Sequence, residues 1–169
     1  MTAAKYLLSY SNVTLSHLRI PQLMNSNSPN TPFLIGSQWA QQEGPILFYR
    51  PEGMVTLTDN QELIATMERI KREEGRLYLL LDAVHNAGQD PKGRAWSAKH
   101  ISNASLPSGA AIIRANFHSR VLLKLFVRAA QLLHRFDVPL EFFSTEEEAR
   151  AYLIGLDKGF EEERSRGAL

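Results

Sequence analysis

Asp82, His85 and Asp90 lie within nine positions of one another, in a stretch rich in glycine and polar residues that Arg94 closes. A histidine between two carboxylates is a set that can serve as a general base or contribute metal ligands. A second set, Arg114, His118 and Arg120, falls where an apolar run gives way to a helical pattern. Guanidinium groups beside the free amides of a helix start can hold an anion. All seven residues are candidates for contacting a ligand or a partner. Catalysis and metal binding are not the expectation for either set, because such a motif carries no geometry of its own. The plainer account of Asp82 is a carboxylate that accepts loop amides or caps a turn. The plainer account of Arg114 and Arg120 is solvated charge.

The element that must position Asp82 is Arg76-Leu77-Tyr78-Leu79-Leu80-Leu81-Asp82. Leu77 to Leu81 show no alternation, which marks a strand buried on both faces, as in the middle of a parallel or mixed sheet. Asp82 then stands at the carboxyl end of that strand, where ligands bind in open α/β sheets. Ala110-Ala111-Ile112-Ile113 reads as another interior strand, and Arg114 stands at its exit as Asp82 does at its own.

The rest of the chain supplies the surroundings. Residues 1–32 are expected to be a mobile N-terminal extension ending in linker composition, Asn25 to Pro32. From Phe33 to Ala40 one irregular strand is expected, and Ile46 to Tyr49 forms an antiparallel hairpin with it. Thr58 and Gln61 match a capping box for a helix with Leu63, Ile64, Met67 and Ile70 on its buried face, ending at Gly75. Asp90-Pro91 opens a helix to about Ala104. The longest helix runs from Phe117 to Phe136. Its apolar face is about twice the 100° that docking on one core requires, so Leu123, Val127 and Ala130 are candidates for an interaction face. Leu140 to Phe143 is the last strand, and Ser144 to Glu147 caps the closing helix through Ala149, Tyr152, Leu153 and Leu156. Residues 158–169 read as a polar C-terminal tail that frays.

Composition excludes several classes. A net charge of +1 over 169 residues gives no long-range field for nucleic acid. With no cysteine there are no disulfides, no thiol chemistry and no zinc ribbon. No run of about 18 apolar residues exists, and polar residues break the N-terminal apolar patch, so neither a membrane span nor a secretory leader is expected. A cytoplasmic location follows as the expectation. The phosphate-loop, dinucleotide, nucleophile-elbow and zinc-protease motifs are absent.

Residues 36–156 resemble the SpoIIAA-like branch of the STAS superfamily, the anti-sigma-factor antagonist domains. The resemblance is carried by Gly53 before the capped helix, by Leu79-Leu80-Leu81-Asp82 and by Ala110 to Ile113. Most telling is the closing Pro139-Leu140-Glu141-Phe142-Phe143-Ser144-Thr145-Glu146-Glu147-Glu148-Ala149. It implies an α/β fold over 33–157, a mixed β-sheet with about four helices mainly on one face. It also implies a non-enzymatic interaction or regulatory module without a cofactor, whose partner is another protein or a second copy in a homodimer. The alternative is a carrier of a nonpolar small molecule or lipid in a helix–sheet cavity. Partner-switching members carry a phosphorylatable Ser or Thr soon after the central strand, and Ala83 to Trp96 contains neither.

Overall fold

The computed structural model of the chain describes residues 31–102, 104–117, 120–121 and 138–167. Most of the expected 117–136 helix, including His118, Leu123, Val127 and Ala130, and nearly all of the expected N-terminal extension lie outside the described residues.

Strands β1 (Pro32–Ile35), β2 (Gln38–Glu43), β3 (Ile46–Arg50), β5 (Tyr78–Asp82), β7 (Gly109–Ile113) and β8 (Leu140–Phe143) form a six-stranded sheet in the order β1-β2-β3-β5-β7-β8. β1, β2 and β3 are antiparallel neighbours, whereas β3, β5, β7 and β8 run parallel. Helices α1 (Leu57–Glu74), α2 (Pro91–His100) and α3 (Glu146–Gly167) complete the described residues, together with a small parallel pair, β4 (Gly53–Val55) and β6 (Asn86–Gln89).

The unbroken apolar run in β5 has a direct cause. Alternate residues on β3, β5 and β7 face opposite layers. Ile46, Phe48, Tyr78, Leu80, Ala111 and Ile113 meet Ala149 and Leu153 of α3. Leu47, Tyr49, Leu79 and Leu81 meet Met67 and Ile70 of α1. Leu80, Leu77, Ile70 and Leu153 are fully buried, and each such aliphatic side chain contributes about 1.5–3 kcal/mol through burial. The sheet thus carries α1 on one face and α3 on the other. Three helices stand among the described residues; the fourth expected helix, over 117–136, lies mostly outside them.

Several boundaries differ from the sequence expectation. The stretch Phe33 to Ala40 is not one irregular strand. Gly36 and Ser37 turn it into the β1–β2 hairpin, with Gly36 at φ 60°. α1 is capped by Thr56 rather than Thr58. The Thr56 hydroxyl accepts from the Asp59 amide at 3.2 Å, and the Thr56 amide donates to Asp59 Oδ2 at 2.8 Å. Val55 ends β4 immediately before, so the extended Thr56 is the residue free to cap. The closing helix is capped one position later than expected, by Thr145 with Glu148. α2 ends at His100, and α3 continues through the expected tail to Gly167.

Asp59 does more than close the box. It is 2% exposed and also accepts from the Ser37 amide at 2.7 Å, the Ser37 hydroxyl at 3.2 Å and Gln38 Nε2 at 3.2 Å. It therefore ties the β1–β2 turn to the start of α1. Burial alone would raise its pKa. The bonds from Ser37, Thr56 and Gln38 outweigh that and lower it from 3.8 to about 2. A Cβ on Gly36 would sit 2.1 Å from Asp59 Oδ1, so only glycine allows this approach.

Candidate functional site

The parallel strands β3, β5 and β7 each leave the sheet on a charged residue: Arg50, Asp82 and Arg114. Their register makes these residues neighbours, since Tyr49 pairs with Leu81 and Asp82 with Ile113. Asp82 is fully buried, yet it is not alone. Arg50 Nε donates to Oδ2 at 2.7 Å, Arg114 Nε donates to Oδ1 at 3.0 Å, and Arg114 Nη2 donates to Oδ2. The Val84 amide donates to Oδ1 at 3.2 Å. A carboxylate offers about four acceptor positions, so Asp82 is saturated.

Local backbone geometry makes the clamp. Arg50 and Asp82 follow the alternation of Phe48 and Leu80 and point to the α3 side of the sheet. In a regular strand Arg114 would follow Ile112 to the α1 side. Its φ of 57°, the one positive value on a non-glycine among the described residues, turns it back toward Asp82. Arg50 is steadied from the side by the Trp39 and Phe48 rings, whose centroids lie 5.1 and 5.3 Å from its guanidinium carbon.

The other candidates serve different ends. Asp90 caps α2 by accepting from the Gly93 amide, and its second oxygen takes the Leu57 amide of α1 at 3.2 Å. α2 can approach there because Gly93 has no Cβ, which would lie 2.5 Å from Asn60 Nδ2. The His85 carbonyl accepts from the Gly53 amide at 2.9 Å beside the β4–β6 pairing, while its side chain is exposed. Arg94 is exposed on α2. Arg120 donates to the Ala115 carbonyl at 3.0 Å and lies over the Phe142 ring. No group of three or more metal-binding side chains exists among the described residues. The fold therefore joins Asp82 to Arg114 and leaves the Asp82–His85–Asp90 set apart in role.

Arg50 was missed by sequence reasoning. The available signal was a charged residue directly after Ile46 to Tyr49, in the same strand-end position as Asp82 and Arg114. A few residues past each of these three strand ends the chain exposes an apolar side chain. Met54 of β4 is 51% exposed, Val84 of the β5–β6 link 42%, and Phe117, three residues past Arg114, 75%.

No protein-family model matches the chain, and no curated protein is detectably similar to it. Among solved structures it is similar to the anti-sigma factor antagonist SpoIIAA in its unphosphorylated form, with a TM-score of 0.50 and 11% identity over 70% of this chain and 98% of that one. It is also similar to an uncharacterised DUF3478-family protein with a SpoIIAA-like fold from Shewanella loihica PV-4. That match has a TM-score of 0.45 and 19% identity over 77% of this chain and 98% of that one. At such identities the likeness speaks to architecture alone, and with the strand order above the match to SpoIIAA shows that the chain has a SpoIIAA-like fold.

Proposed function

We propose that the chain is a non-enzymatic protein-interaction or regulatory module whose working face is the carboxyl end of β3, β5 and β7. The observation that carries this reading is the saturation of Asp82 by Arg50, Arg114 and the Val84 amide. The one buried carboxylate at the strand exits is engaged in holding three strand ends together. Asp90, the next acid along, caps α2. Met54, Val84 and Phe117, which follow the exits of β3, β5 and β7 in the chain, are exposed, and apolar side chains of this kind suit the core of a contact surface. The fold shared with an anti-sigma factor antagonist supports an interaction role. Phosphorylation switching is not part of the reading: Ala83 to Trp96 lacks Ser and Thr, and Ser97 is buried on α2.

The carrier alternative needs an apolar cavity, and its expected wall, the 117–136 helix, is outside the described residues. Native mass spectrometry of the protein purified from its own host, repeated under denaturing conditions, tests the choice. A protein partner or second copy, lost in Val84→Asp, is the expected result. A monomer that releases a small molecule on denaturation would overturn it.

A further inference from the structure

The Arg50–Asp82–Arg114 cluster carries more positive charge than its structural role consumes. Two guanidinium groups meet one carboxylate, which leaves one formal positive charge at the strand exits. Each guanidinium has five N–H donors. Arg50 gives one of them to Asp82 and Arg114 gives two. The remaining donors have no acceptor among the described residues. The two side chains are 33% and 44% exposed, whereas Asp82 is closed off at 0%. The carboxylate therefore fixes both guanidinium groups from below while their outer edges face solvent. The aromatic rings of Trp39 and Phe48 restrict Arg50, and the left-handed backbone at Arg114 aims the second group at the same point. Non-glycine residues in that backbone region persist where the surrounding structure over-determines them.

We propose that Arg50 and Arg114 form a receptor for an oxyanion, a carboxylate or phosphate group, seated at the carboxyl ends of β3, β5 and β7. Fixed, half-exposed guanidinium donors suit such groups because planar forks match their oxygen atoms in pairs. Asp82 acts as a positioning residue that keeps the two forks apart and convergent. This site stands independently of the partner reading. The oxyanion can be free in solution or carried on an acidic side chain of another protein, and the chemistry recognised is the same.

The test is a nuclear magnetic resonance titration following the Arg Nε–H signals and the Val84 amide. Acetate, inorganic phosphate and the peptide acetyl-Leu-Glu-Leu-amide are added in turn, against chloride at matched ionic strength. Saturable shifts at Arg50, Arg114 and Val84 are expected, half-complete at about 10 mM for acetate or phosphate, as one or two charge-assisted hydrogen bonds would give. Tighter binding of the peptide would assign the oxyanion to a partner protein, and equal binding to a free small molecule. Arg114→Gln should abolish the saturable response, and Arg114→Lys, which keeps the charge but loses the fork, should weaken it. Asp82→Asn removes the charge that fixes both forks, so it should weaken the saturable response even though it raises the net positive charge at the site. Binding that strengthens instead would show general charge attraction in place of positioned forks and would overturn the proposal. Shifts that follow the chloride control, or that persist unchanged in Arg114→Gln, would overturn the proposal.

Discussion

Replacing Asp59 by Asn removes the charge that ties the β1–β2 turn to α1 while keeping the side-chain shape. Its size can be worked from the carboxyl group itself. Because the folded state lowers the pKa from 3.8 to about 2, folding favours the ionised form. That stability is fully present above the unfolded value and is lost as pH falls through the folded one. The contribution at pH 7 is about 2.5 kcal/mol, at about 1.4 kcal/mol for each tenfold change in proton affinity, and about 0.8 kcal/mol of it survives at pH 2.5. No large screening discount applies to a residue 2% exposed. Urea unfolding of the parent and Asp59→Asn, followed by Trp39 and Trp96 fluorescence at pH 7, 4 and 2.5, checks this. The stability gap should narrow by about 1.7 kcal/mol between pH 7 and 2.5, mostly below pH 4. A gap that stays constant, or widens on acidification, would refute the reasoning.

Three further outcomes follow from named contacts. Gly36→Ala would place a Cβ 2.1 Å from Asp59 Oδ1 at a φ of 60°, and a loss of about 3 kcal/mol or more is expected by thermal unfolding. Thr56→Ala should cost about 1 kcal/mol through the lost cap, while Thr58→Ala should stay within about 0.5 kcal/mol, so that paired urea curves identify the capping residue. Asp82→Ala should destabilise the fold by about 2–3 kcal/mol in a calorimetric scan. That is less than for a wholly buried pair, since both arginines can return to water.

The sequence carried the main architecture because the central parallel strands β3, β5 and β7 are covered on both faces and so read as apolar runs. β5 and β7 were legible for that reason. So were Gly75 as the end of α1 and Asp90-Pro91 as the start of α2, where local chemistry alone sets the boundary. β4 and β6 were not legible, and Pro51 to Gly53 and Ala83 to Arg94 read as turn and loop. Gly53-Met54-Val55 and Asn86-Ala87-Gly88-Gln89 have no strand character of their own, and only their pairing makes them strands. The cap of α1 was misplaced because two boxes overlap, Thr56 with Asp59 and Thr58 with Gln61. The choice was made by Ser37 and Gln38, some twenty residues earlier in the chain. At the candidate site, Asp82 and Arg114 were visible as strand-end charges, and the Asp82–Val84 amide bond is the plain turn role expected. The clamp itself was hidden, since it needs the parallel register that brings Arg50 beside Asp82 and the left-handed residue that turns Arg114 toward it.

The reading that the strand exits are the working face is tested most directly by site-specific photo-crosslinking in living cells. A benzoylphenylalanine replaces Val84 in one strain and Lys158, exposed on α3, in another. A discrete crosslinked species from the Val84 position, absent from the Lys158 position and diminished by Arg114→Gln, is the expected result. Crosslinks of equal yield from both positions, or from Lys158 alone, would contradict it.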